Sequence, residues 1–126
     1  MDVNDEEVAA LLARSQECLA AGYANASAGR WNRAASDLYY AVFDAGRAVL
    51  LRRGLEARSH GQVRAEFNRL LVRSGLLTRE EARLYGQLFD LRQLGDYAPT
   101  RSLQKEDVEP FLDAVSSLVG RLRSLA

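Results

Sequence analysis

The chain has 126 residues, 48% apolar and 27% charged, a globular balance that fits one domain and excludes a disordered or low-complexity chain. Its 17 basic and 17 acidic residues cancel to a formal net charge of zero, so bulk charge does not drive sequence-blind capture of nucleic acid. Cys18 is the only cysteine, which excludes an internal disulfide and a Cys/His zinc cluster.

The opening Met1-Asp2-Val3-Asn4-Asp5-Glu6-Glu7 is acidic, the reverse of a secretory signal. No uncharged apolar run approaches the ~18 to 20 residues that span a bilayer. The expectation is a soluble cytoplasmic protein with no membrane association. Charge is unevenly spread, however. Residues 1–29 hold Asp2, Asp5, Glu6, Glu7 and Glu17 against Arg14, whereas 47–73 hold Arg47, Arg52, Arg53, Arg58, Arg64, Arg69 and Arg73 against Glu56 and Glu66.

Alternating β-branched runs are absent and proline occurs only at Pro99 and Pro110, so the pattern predicts helices throughout. A first helix is expected from about Asp5 to Ala28, with Asn4 as N-cap, a core stripe of Val8, Leu12, Leu19, Tyr23 and Ala26, and Gly29 as its stop. The second, about Trp31 to Arg53 and closed by Gly54, is the most apolar. A third follows Ser59-His60-Gly61 with Val63, Phe67, Leu70 and Leu71 at core spacing and ends at Gly75. Thr78-Arg79-Glu80-Glu81 reads as a capping box that opens a fourth helix towards Tyr97, closed by Pro99. A last helix runs from about Lys105 to Leu125, with Pro110 near its start placed to kink it. Short connections between long amphipathic helices make the expected fold an all-α, up-and-down antiparallel bundle of four to five helices, one domain over residues 1–126.

Three places carry candidate chemistry. Arg92 and Asp96 are four apart and share a helix face, with Tyr97 about 140° further round than Arg92. An exposed ion pair with a terminal aromatic explains the spacing equally well. On the second helix Arg33, Asp37, Tyr40, Asp44 and Arg47 recur at intervals of three and four, consistent with a solvated ridge, a partner-binding face or a polar crevice. Ala41, Ala45 and Gly46 beside them admit close approach of another helix. His60, the only histidine, opens a helix, where the helix dipole favours a neutral ring able to accept a proton, although capping or packing is the simpler role. There is no Gly-rich phosphate loop, nucleophile elbow, HExxH pair or EF-hand pattern, so neither a metal nor a cofactor is expected. That leaves chemistry needing few groups, such as RNA cleavage, where the substrate's 2′-hydroxyl is the nucleophile and the protein need only orient it, move a proton and stabilise the charged phosphorane.

Trp31-x-x-Ala34-x-x-x-Leu38-Tyr39-Tyr40-Ala41-Val42-Phe43-x-Ala45, then Ser59-His60, then Arg92-x-x-x-Asp96-Tyr97 resembles the HEPN domain, in its small stand-alone prokaryotic branch. The resemblance implies an all-α bundle, a homodimer that brings two late-helix motifs together, and a partner nucleotidyltransferase of the MNT type. It also implies a metal-independent endoribonuclease toxin. In that family an arginine acts with a histidine after four to six intervening residues. Arg92 matches the arginine, whereas the position five beyond it is Tyr97, a phenol, which ordinarily keeps its proton at pH 7. The residues assigned to catalysis are therefore Arg92, Asp96, Tyr97 and His60, and those to substrate binding Arg92, Tyr40 and Arg47. Tyr97 is also the nearest analogue of the tyrosine that such antitoxins nucleotidylate. The alternative is a HEPN protein that binds a nucleotide, RNA or a partner nucleotidyltransferase without catalysis.

Overall fold

A computed structural model describes residues 3–97 and 102–126. The helices are α1 (Val3–Ser27), α2 (Trp31–Arg52), α3 (His60–Glu66), α4 (Arg79–Tyr97), α5 (Lys105–Val108) and α6 (Leu112–Leu125). α3 runs on into a π-helical turn over Phe67–Val72, and a 3-10 turn over Glu109–Phe111 joins α5 to α6. There are no strands among the described residues, and none of the helices is long and apolar enough to cross a membrane.

Local signals set most boundaries. α1 ends at Gly29, whose φ of 75° lets the Arg30 amide reach back to the Asn25 carbonyl at 2.8 Å. Gly54 at φ 79° does the same for α2, with Leu55 donating to the Leu50 carbonyl at 2.9 Å. The capping box of α4 is formed, with Thr78 Oγ1 accepting from the Glu81 amide at 3.1 Å and the Glu81 carboxylate accepting from the Thr78 amide at 2.9 Å. Ser59 and Gln62 make a second box at α3.

Some expectations shift. α1 begins at Val3, ahead of the expected Asn4 cap, a difference of two residues that is ordinary for helix ends. Its buried stripe runs through Val8, Leu11, Ser15 and Ala26; Tyr23 is instead exposed and donates its hydroxyl to the Leu112 carbonyl at 3.1 Å. Pro110 does more than kink the last helix: lacking an N–H, it sits in the 3-10 turn that divides α5 from α6. The expected stop at Pro99 lies outside the described residues.

α1 and α2 form an antiparallel hairpin. Arg52 pairs with Asp5, Ser15 Oγ donates to the Ala41 carbonyl at 2.6 Å, and Asn25 donates to Asp37 at 2.8 Å. α2 is the central rod, its Ala34, Ala35, Leu38, Ala41, Val42, Ala45 and Val49 fully buried. α4 crosses one side of it and α6 another. At Gly46 an added Cβ would fall 2.5 Å from Cζ of Phe67, so the missing side chain is what lets the α3 segment press against α2. The π turn begins at that inserted phenylalanine.

Candidate functional site

The site is built where α2, α3 and α4 meet. Tyr39 points inward from α2 and is buried, while Tyr40, about 100° further round, is half-buried beside it. The two rings meet edge to face at 5.0 Å and 74°, a favoured aromatic geometry. From α4, Tyr85 stacks on Tyr39 at 5.6 Å. Phe89, one turn on, lies parallel to the His60 ring at 3.6 Å and 11°.

These side chains close a hydrogen-bonded triangle. His60 Nδ1 is 2.8 Å from the Tyr85 hydroxyl and 3.1 Å from the Tyr39 hydroxyl, and the two hydroxyls are 3.2 Å apart. Burial pushes both phenols above the ordinary tyrosine range, so both keep their protons and act as neutral donors at neutral pH. Burial, then the cations of Arg64 and Arg92 against the opposing Asp90, lowers the imidazole below its usual 6.5. With the ring neutral, Nδ1 can accept from a tyrosine hydroxyl with the ring proton on Nε2, or donate to one and leave Nε2 an acceptor. Nε2 of His60 is buried without a hydrogen-bond partner among the described residues.

Arg92 lies over this floor, its Cζ 5.4 Å from the Tyr39 ring centre and 5.1 Å from that of Tyr40, within cation–π range of both. Its Nε is 3.3 Å from Asp96 Oδ2. The contact is an ion pair without hydrogen-bond alignment, since Nε is buried with no hydrogen-bond partner. The Arg92 side chain is 19% exposed and that of Asp96 33%. Arg92 is thus neither sealed in the core nor loose in solvent. Among the described residues nothing accepts from its terminal amino groups. Those donors are oriented by two aromatic faces and remain available to an anion such as a phosphate.

Of the residues singled out from sequence, Arg92, Asp96, Tyr40 and His60 gather around Tyr39. Tyr97 is the last residue of α4 and is 68% exposed, beside the cluster rather than in it. Arg47 is separated from Arg92 by two rings: its guanidinium lies 5.7 Å from the Phe43 centre, Phe43 stacks on Tyr39 at 5.8 Å, and its Nε donates to the Ala57 carbonyl at 3.1 Å. The α2 ridge is not one solvated face. Asp37 turns to Asn25, and Asp44 is 1% exposed beside Arg14 at 3.7 Å with Oδ1 unpartnered; burial pushes its carboxyl up. Tyr85 was not among the candidates, although its place four residues before Phe89 puts both on one face of α4. Among the described residues no three His, Cys, Asp or Glu side chains converge as metal ligands.

The features together define an all-α bundle of a particular class, with a tyrosine-bearing central helix facing a late helix that carries Arg-x-x-x-Asp-Tyr. The chain belongs to the HEPN domain family, whose model matches residues 8–125. It is similar to a "UPF0332 protein" of Thermotoga maritima, 33% identical over 117 residues that cover 87% of this chain and 89% of that protein. It is also similar to "Putative toxin MJ0605" of Methanocaldococcus jannaschii, 26% identical over 116 residues and 87% of each chain.

Proposed function

We propose that this HEPN protein is the toxin half of a HEPN/MNT pair, a metal-independent endoribonuclease that works as a homodimer. The observation that carries the reading is the Arg92 guanidinium held on the faces of Tyr39 and Tyr40, its one ion pair among the described residues made through Nε to Asp96. Arg92 grips the non-bridging oxygens of a scissile phosphate and stabilises the charge that develops as the RNA 2′-hydroxyl attacks phosphorus. The 2′-proton passes to the Asp96 carboxylate beside Arg92, and the departing 5′-oxygen takes a proton from the Tyr97 phenol, leaving a 2′,3′-cyclic phosphate. His60 works through Tyr39, fixing the floor under Arg92, and is a positioning residue rather than the base. Tyr40 and Arg47 are further contacts for the strand. The dimer brings a second Arg92-Asp96-Tyr97 trio to the same RNA. The partner is an MNT-type nucleotidyltransferase, for which the exposed Tyr97 hydroxyl is an accessible acceptor. Similarity to a protein carrying the word toxin in its name supports the assignment.

A second reading has its own observation. His60 Nε2 is buried and Tyr97 stands where the family's histidine would be, which favours a HEPN protein that binds RNA, a nucleotide or the nucleotidyltransferase without cutting. Incubation of single-stranded RNA with the protein in EDTA separates the two. Cleavage by wild type that Arg92→Ala abolishes supports the nuclease, and equal background cleavage by both removes it. Light scattering during size exclusion tests the dimer, and a monomer at all concentrations overturns that part.

A further inference from the structure

The arginine-rich stretch 47–73 is mostly consumed by the fold. Arg47 holds the Ala57 carbonyl, Arg53 the Leu125 carbonyl, and Arg52, Arg58 and Arg69 pair with Asp5, Glu56 and Glu66. Arg64 and Arg73 have no such acid. They line a cleft of about 440 Å³ between the α3 segment and the start of α4, and the opposite wall supplies Arg79 and Arg83. All four arginines are exposed, none is in an ion pair among the described residues, and no acidic side chain of those residues lines the cleft. In a chain of zero net charge, four unpaired guanidiniums around one cleft are a local excess that repels itself unless an anion joins it. The π turn contributes Asn68 and Val72 to the same wall, a local departure from α geometry that recurs at functional sites.

We propose that this groove binds the sugar-phosphate backbone of single-stranded RNA and feeds the strand to Arg92. The proposal rests on the RNA-directed reading above and adds where the strand lies outside the motif. The lining is guanidinium, amide and aliphatic, with no aromatic ring for a base to stack on, so the groove grips phosphates and is indifferent to sequence. Arg64 links the two places. Its guanidinium lies over Gly86, where an added Cβ would stand 3.2 Å from Nη2, and its charge acts on His60, as does that of Arg92. Along α4, Arg83 and Arg92 are about 14 Å apart in rise but about half a turn apart around the axis, so a strand that reaches both winds round the helix past Gly86, where Arg64 lies.

The test is fluorescence anisotropy of a 2′-O-methylated oligouridylate, which the protein cannot cleave, titrated with the full chain across a salt series. The triple variant Arg73→Ala, Arg79→Ala, Arg83→Ala should bind about tenfold more weakly or worse, with a log–log salt slope reduced by about 2, since each lost phosphate contact removes about 0.7. The corresponding triple lysine variant, which keeps the charge, should retain most of the wild-type slope. An alanine variant with native circular dichroism and the wild-type slope overturns the proposal. So does groove-dependent binding of inorganic triphosphate without any change in RNA binding, which makes the ligand a small anion. Absence of cleavage of ordinary RNA by wild type removes the nuclease reading and leaves this binding result standing.

Discussion

Arg92 carries its guanidinium 5.4 Å from the centre of the Tyr39 ring, so the phenol that closes the histidine triangle from below is also the surface on which the cation rests. The ring and the hydroxyl of Tyr39 therefore do separable jobs. Tyr39→Phe keeps the cation–π surface and should leave RNA cleavage within a few-fold of wild type. Tyr39→Leu removes an interaction of about 1 to 2 kcal/mol and should lower kcat/KM by roughly 5- to 30-fold. Equal rates for the two variants in a single-turnover assay would show that the ring does not position Arg92.

Tyr85 is fully buried and its hydroxyl serves both His60 and Tyr39. Tyr85→Phe leaves the packing but strands His60 Nδ1 with only the Tyr39 hydroxyl, so the expected loss in unfolding free energy is about 1 to 2 kcal/mol. Urea denaturation measures it, with an unchanged m-value confirming that the native state keeps its compactness. No loss at all would mean that the triangle contributes nothing net to stability.

At Gly46 the limit is space. A Cβ there meets Cζ of Phe67 at 2.5 Å, and the ring is held in the core at 1% exposure. Gly46→Ala should cost about 1 to 3 kcal/mol through overpacking, despite alanine's better helix propensity. The double variant with Phe67→Leu should cost less than the sum of the two singles. Additive costs would place the strain elsewhere.

His60 is the only histidine, so its Hε1 proton gives one unambiguous NMR signal. Burial and two arginines lower its folded-state value beneath 6.5. The unfolded chain then takes up the proton first as pH falls, so this residue's contribution to stability is present above about 6.5 and declines as pH drops towards the folded value. The titration midpoint should lie below 6.5 and rise in Arg64→Ala. A midpoint above 6.5 would contradict the burial and charge arrangement described.

The helices are legible in the sequence because their signals are short-range. Ser59 with Gln62 and Thr78 with Glu81 cap within four residues, and Gly29 and Gly54 act where they stand. The Arg92–Asp96 pair is readable for the same reason, one helical turn apart. What joins different helices is not readable. The Tyr39–Tyr85 contact spans 46 positions and exists only because α2 and α4 cross in one register. The π turn starts at Phe67, whose ring fits against Gly46, a fit in three dimensions that helical periodicity does not encode. The exposed Tyr23 has the same origin: a rotation of α1 by a fraction of a turn exchanges it for Ser15 and Leu11 against α2.

The α1–α2 hairpin has a consequence for how the protein comes into being. It joins two helices that are adjacent in the chain across a turn of a few residues, an arrangement of lower contact order than the α2–α4 crossing near the turn and comparable to it at the far end, where Asp5 meets Arg52. On the ribosome Tyr39 and Tyr40 are therefore made, with their helical partner α1 already present, before α4 exists. Of these three side chains Arg92 is made last, so a chain cut short within α4 before it has both rings and no cation on them.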